Sequence, residues 1–313
     1  MEPEKKAFEH YSVMAKESLE LLAPAENGVY VDCTFGGGGH SGRILSSVRN
    51  VRVIGIDRDE DAIRNGEEKF GSDKRLTLVH DNFANVSGIL DSLGIEKING
   101  AIMDLGVSSY QIDSEERGFT YQAEAPLDMR MDRSSALCAE DVVNTYPARE
   151  LERIFREYGE ERYSGRIASS ILKEREKHAI KTTKELEETV ERAVFGSPKD
   201  KLNSVKRIFQ AVRIEVNGEL GVIEPAIRAI TDRLFSGGRI VAISFHSLED
   251  RIVKNTFKKL EDPCECPKDF PVCVCGKKPQ LRIITKKPLL PTEEENAENS
   301  RSHSAKLRAA QKL

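Results

Sequence analysis

No run of about 18 apolar residues occurs anywhere in this 313-residue sequence, so a membrane-spanning helix is not expected. The opening MEPEKKAFEHYSVM is charged and has no apolar centre, which argues against a secretory signal and makes the cytoplasm the expected location. Neither sign of charge dominates. With 48 Lys and Arg against 52 Asp and Glu, the formal charge of -4 argues against a protein that coats nucleic acid by bulk electrostatics. Internal repeats and long low-complexity tracts are missing too. Cysteine is sparse, 6 in all, and a reducing compartment speaks against disulfides. What remains is the composition of a globular protein, 39% hydrophobic, long enough for one large domain or a core that carries a smaller one.

The first third has a rhythm. Apolar runs GVYVD, VRVIGID, RLTLVH and INGAIMD recur roughly every 20 to 25 residues, each followed by a polar or glycine-bearing turn and mostly by a helical stretch. Runs rich in Val and Ile suit the centre of a parallel sheet covered by helices on both faces. Such sheets bind ligands at the carboxyl ends of their strands. That rule gathers Asp32, Asp57, the HDNF segment (His80 to Phe83) and Asp104 at one crevice.

Between the first strand and the next helix stands DCTFGGGGHSG. Gly37, Gly39 and Gly42 satisfy G-x-G-x-x-G, and Asp57 follows about 20 residues later, the arrangement that binds a ribose. A nicotinamide dinucleotide is therefore one candidate. Asp32 at the loop mouth would repel a pyrophosphate and would suit the cationic end of S-adenosylmethionine, which is the favoured ligand. A tight strand-to-helix turn is the plain structural alternative, against which four consecutive glycines weigh through their entropic cost.

After Asp104 the rhythm breaks. From Glu115 to Arg213 the sequence is charged and helix-like, and Thr182 or Thr183 with Glu185 looks like a helix start. Strand pattern returns in GGRIVAISFHS after a helix around EPAIRAITDRLF. The expected division is therefore a core over 1–114, a helical insertion over 115–213, and a second core part over 214–313 with a Cys-rich loop at 264–275 and a basic C-terminal tail. That tail, RSHSAKLRAAQKL, reads as solvated, and its charge alone does not identify an RNA contact. Within the insertion Arg130, Arg166, Arg207 and Arg213 are either phosphate contacts or partners of local glutamates. Cys33 and Cys138 read as small buried residues. Cys264, Cys266, Cys273 and Cys275 offer four thiols to a structural zinc, although C-x-C spacing strains two ligands on one ion and favours no metal.

Seven ordered blocks carry a resemblance: CTFGGGGHSGRIL, GIDRDEDAI, MDLGVSSYQID, RGFTYQAEAPLDMRMD, YGEERYSGRIA, IFQAVRIEVNGEL and ISFHSLEDRIVK. Together they resemble the bacterial RsmH (MraW) family, the small-subunit ribosomal RNA cytosine-N4 methyltransferases. The resemblance implies an α/β class I S-adenosylmethionine-dependent methyltransferase, Rossmann-like with a mainly parallel sheet, and a helical insertion for RNA recognition. It implies methyl transfer to the exocyclic N4 of a cytidine in 16S rRNA of the small ribosomal subunit, in the decoding region. Carried over by motif, Gly38, Gly39 and His40 resemble the cofactor loop, Asp57 the ribose carboxylate, Phe83 the adenine-side contact, and Asp104 and Gln111 the remaining cofactor contacts. Any metal at the cysteines would then be structural.

A cytosine amine is a weak nucleophile, and Asp104 is the candidate acceptor of its hydrogen bond, with cofactor binding as its plainer role. His246 is a second candidate, for proton relay or phosphate binding, against a purely structural role. Ser247 and Arg251 are candidate RNA contacts; Tyr110 and Tyr121 either stack on an opened base or belong to the core. The segments NSVKR and AENSRSHSAKLRAA depart from the family pattern on the RNA side. A non-catalytic ribosome-assembly factor and an NAD-dependent oxidoreductase remain the competing classes, and a homodimer is left open.

Overall fold

Each early apolar run ends on a residue that is costly to bury, and each becomes a parallel strand in a computed structural model that describes residues 12–267 and 274–313. Helix α1 (Ala15–Leu22) precedes β1 (Val29–Asp32). Then α2 (Gly39–Ser47) leads to β2 (Arg52–Asp57), α3 (Glu60–Phe70) to β3 (Leu76–His80), and α4 (Val86–Ser92) to β4 (Ile98–Asp104). Helices follow: α5 (Ser109–Asp113), α6 (Ala139–Thr145), α7 (Ala148–Glu157), α8 (Ser164–Arg175), α9 (Thr183–Ala193) and α10 (Pro198–Asn217). The alternation resumes with α11 (Ile223–Arg233), β5 (Leu234–Ser244), α12 (Ser247–Glu261), β6 (Leu281–Ile283), α13 (Glu293–Glu298) and β7 (Lys306–Lys312).

The strand order is β3-β2-β1-β4-β5-β7-β6. Neighbours among β1 to β5 run parallel, while β7 is antiparallel to both β5 and β6. This is the class I methyltransferase sheet. Its direction of winding reverses between β1 and β4, and that reversal opens the ligand crevice of an open α/β sheet. Val31 pairs with Ile54 on one side and Ala101 on the other, all three fully buried, so the reversal sits on the driest part of the sheet.

One expectation is corrected here. The basic stretch read as a solvated tail contributes β7, with Leu307, Ala309 and Ala310 at zero exposure and Arg308 paired to Asp250 at 2.6 Å. Small apolar residues fill the interior while the arginine is neutralised, which allows a charged-looking segment to be a central strand.

Val107–Leu220 forms one compact unit, and the residues before and after it form the other. The helical unit thus extends past both ends of the 115–213 span. Its C-terminal margin is fixed by Arg213 to Glu219 (two contacts of 2.9 Å) and by Asn217, which donates to Met129 O at 2.7 Å and accepts from Met131 N at 2.8 Å. Spacing of i, i+3 and i+4 puts Leu151, Ile154 and Phe155 of α7, Ile167 and Ile171 of α8, Leu186 and Val190 of α9, and Val205, Ile208 and Val212 of α10 into one apolar cluster. Thr182 caps α9 in a capping box with Glu185.

Candidate cofactor site

The loop after β1 straddles both of that strand's neighbours. Towards β4, Cys33 N donates to Ile102 O at 2.9 Å, and Thr34 Oγ1 accepts from Asp104 N at 2.7 Å. Towards β2, Phe35 N donates to Ile56 O at 2.9 Å and Gly36 N to Asp57 Oδ2 at 2.7 Å. Four consecutive residues therefore bind the crevice shut at its floor. Gly36 and Gly38 hold φ of 51° and 72°, a region L side chains rarely adopt.

Part of the demand for glycine comes from Phe35. A Cβ on Gly38 would lie 2.7 Å from its ring and 2.5 Å from that of Phe70; Cβ atoms on Gly55 and Gly66 would approach the Phe35 ring to 2.6 and 2.4 Å. Phe35 and Phe70 meet edge to face at 6.1 Å. Sequence reasoning missed this aromatic pin. Its signal was dispersed over glycines in β2 and α3, which no local pattern connects.

Three strand-end carboxylates surround the loop. Asp32 is fully buried beneath it, not at its mouth, accepting from Ser41 Oγ at 2.7 Å and Thr34 N at 3.3 Å. Burial pushes its pKa up, against the opposing pull of His40 and these donors. Asp57 accepts from Gly36 N and Asp59 N, yet burial still raises it to about 6. Asp104 lies with Oδ2 3.5 Å from His40 Nε2, and its Oδ1 is buried without a hydrogen-bond partner. Burial disfavours the His40 imidazolium, but hydrogen bonding and attraction to Asp104, with Asp32 behind it, leave its pKa raised. Cys33 is held as a thiol, pushed up by burial and then by Asp32.

Phe83 opens a single turn (Phe83–Asn85) after β3, capped by Asn82, and is half-buried. Asp81 N donates to Asp57 O at 3.0 Å, which ties this turn to the end of β2. Gly39 and His40 begin α2, so the predicted Gly38, Gly39, His40, Asp57, Phe83 and Asp104 all fall on the strand ends of one sheet or the turns that follow them.

The other candidates are placed by their own hydrogen bonds. His246 is the N-cap of α12; its Nδ1 accepts from Glu249 N at 3.5 Å and its Nε2 is 3.2 Å from Glu249 Oε1. Gln111, in the helical unit, is buried and its Oε1 accepts from Ser108 N in the capping box of α5. Arg130 pairs with Asp128, Arg207 with Glu161 and Arg213 with Glu219, whereas Arg166 lies 3.5 Å over the Phe195 ring. Tyr121 packs edge to face on Phe209, while Tyr110 is exposed. Cys264, Cys266 and Cys275 converge; Cys273 lies outside the described residues.

The sheet order, the reversal at β1 and the acid-rimmed glycine loop are joined by a sequence match over nearly all of the chain: the MraW methylase family pattern covers residues 7–313. The chain belongs to the MraW methylase family. Two relatives, both named ribosomal RNA small subunit methyltransferase H, come from Carboxydothermus hydrogenoformans, 52% identical over 309 residues and 98% of each chain, and Caldicellulosiruptor saccharolyticus, 54% identical over 307 residues, 98% of this chain and 100% of that one. Among the described residues no helix is long and apolar enough to cross a membrane.

Proposed function

We propose that this MraW-family methylase uses S-adenosylmethionine to methylate the exocyclic N4 of a cytidine in 16S rRNA of the small ribosomal subunit, in the decoding region. The observation that carries the reading is the glycine loop's own hydrogen bonding. A loop built for pyrophosphate would leave its amides for phosphate oxygens; here Gly36 N is donated to Asp57, and the strand ends bring carboxylates. That field favours a cationic ligand over a dinucleotide. The names of the relatives support the ribosomal substrate.

The residues present fit S-adenosylmethionine. Asp57 uses two of its acceptor positions on backbone amides and keeps others for ribose hydroxyls. Half-buried Phe83 covers the adenine face, and Gly38, Gly39 and His40 border the methionine end. Gln111 is kept as a cofactor contact on the strength of the family resemblance. When bound, the cofactor supplies a methyl group made electrophilic by its sulfonium. Asp104 Oδ1, buried and unpartnered, accepts the hydrogen bond of the N4 amine and takes the proton that amine must lose. His40 acts at one remove: its Nε2, 3.5 Å from Asp104 Oδ2, holds that carboxylate in place so that Oδ1 can face the amine. In the helical unit, Arg166 stacked on the exposed Phe195 is the surface pair suited to an RNA phosphate and base.

The test is transfer of labelled methyl from S-adenosylmethionine to small subunits from cells lacking the protein, with nucleoside analysis of the product. N4-methylcytidine is expected, and Asp104→Ala lowers its formation by about 100-fold or more. Cofactor binding without label on any form of the subunit would overturn the reading in favour of a non-catalytic assembly factor, and NADH binding would revive the oxidoreductase.

A further inference from the structure

Away from the strand ends, one cluster has the donor chemistry of a metal centre. α12 ends at Glu261 and β6 begins at Leu281, and the described residues between them form neither helix nor strand. Both ends of this connection are fixed: Gln280 N donates to Leu260 O at 2.8 Å and Ile283 N to Glu261 Oε1 at 2.7 Å. Long connections of this kind are uncommon in compact domains unless something inside holds them.

Three thiols meet inside it. The sulfurs of Cys264, Cys266 and Cys275 all lie within 4.8 Å of one another, and those of Cys264 and Cys275 are 3.9 Å apart. A tetrahedral zinc with Zn–S bonds of about 2.3 Å spaces its sulfurs about 3.8 Å apart, so one pair already stands at ligand spacing and the third sulfur is within a small side-chain rotation. Two backbone features support the same arrangement. Val274 N is 3.4 Å from Cys266 Sγ, an N–H···S contact that stabilises a thiolate, and Gly276 takes φ of 67°, turning the chain directly after Cys275. Lys277, paired with Glu265 at 2.5 Å, sets a cation beside the residue that separates the first two thiols. The single-residue spacing that weighed against a shared ion in the sequence is thus met by a folded loop that brings both thiols together with a third from 275.

We propose that Cys264, Cys266 and Cys275 form a structural site for a thiophilic divalent cation, zinc by chemical preference, that staples the connection between α12 and β6. Each thiol loses its proton to solvent as its sulfur donates a lone pair to the ion, and the fourth corner of the tetrahedron takes a further donor. None of the three thiols belongs to the residues assigned to the cofactor, so loss of the ion is expected to lower stability and leave cofactor binding intact.

The experiment uses the full chain, purified under reductant with zinc present and dialysed against metal-free buffer, with metal content measured by atomic emission and cobalt binding followed by visible absorption. About one zinc per chain and a thiolate-to-cobalt charge-transfer band are expected. Cys264→Ser and Cys275→Ser lose both signals while keeping the circular dichroism of the parent, and Cys138→Ser keeps both signals. The cobalt spectrum of the unaltered chain, bleached by added zinc, reads the same site without any substitution. Absence of metal and of the band in that chain overturns the proposal, as does metal retained in both serine variants, or a Cys264–Cys275 disulfide in its place.

Discussion

At the ends of β1 and β4 two carboxylates, Asp32 and Asp104, share one imidazole, whereas in Val107–Leu220 three of the four arginines that the sequence offered to RNA have a carboxylate of their own. Asp32 and Asp57 are raised by burial, and an oxygen of Asp104 has no hydrogen-bond partner. Charges in the helical unit are instead neutralised pairwise over a continuous apolar cluster. Unspent polarity in a buried place is costly unless a ligand completes it. The strand ends are therefore the part of the molecule that leaves polarity for a ligand to complete, as the proposed function requires, and the paired arginines are part of what holds the helices together.

Substitutions can break this contrast. Asp104→Ala should lower methyl transfer roughly 100- to 10,000-fold with little change in melting temperature, read by labelled-methyl assays beside thermal unfolding. Its counterpart, Arg213→Ala, leaves buried Glu219 unpaired and should cost about 3 kcal/mol of stability, measured by denaturant unfolding, while cofactor affinity stays within twofold. Comparable losses in both readouts for either variant would erase the distinction.

Gly38→Ala should fall between them, because it strains a positive φ and drives a Cβ into Phe35 and Phe70. A loss of about 1–3 kcal/mol is expected, with weaker cofactor binding in calorimetry. Acidity sharpens the contrast further. Asp57 binds its proton more tightly folded than unfolded, so its stabilising contribution is present below the ordinary 3.8 and lost as pH rises through about 6. Cofactor affinity runs the other way, because the ribose needs an ionised acceptor: it should drop about tenfold from pH 7 to pH 5, and Asp57→Asn should flatten that slope. Smallest of all, Arg166→Ala should cost at most about 1 kcal/mol of stability, since its ring partner is exposed, and should show itself in weaker binding to the small subunit.

Much of the sheet was legible in the sequence. A strand buried on both faces must read as continuous Val and Ile, and the acids that end β1, β2 and β4 mark where each strand gives way to a turn. β7 was hidden because its buried residues are small and its buried arginine finds Asp250 only through folding. The loop carboxylates were legible by position, but Asp32 was read as facing ligand because no sequence pattern reveals that Ser41, in the first turn of α2, would cover it. The contact between His40 and Asp104 joins the start of α2 to the end of β4, which spacing along the chain does not encode. His246 drew attention for its chemistry and Gln111 through the family resemblance, and the structure has both of them in the capping boxes of helices.

The pairing of β4 with β5 joins Asp104 to Ile243 and Ile98 to Leu234 across the whole helical unit. The entropy of closing such a gap grows only with the logarithm of its length, about 0.6 kcal/mol for each doubling, so hosting an entire second unit at this joint costs about 3 kcal/mol more than hosting a turn. Time is what the joint demands, because contacts so distant in sequence form late. During refolding, amide protection should therefore appear in β1 to β3 before β5, and the crevice should acquire its ligand only after β4 has found its distant neighbour.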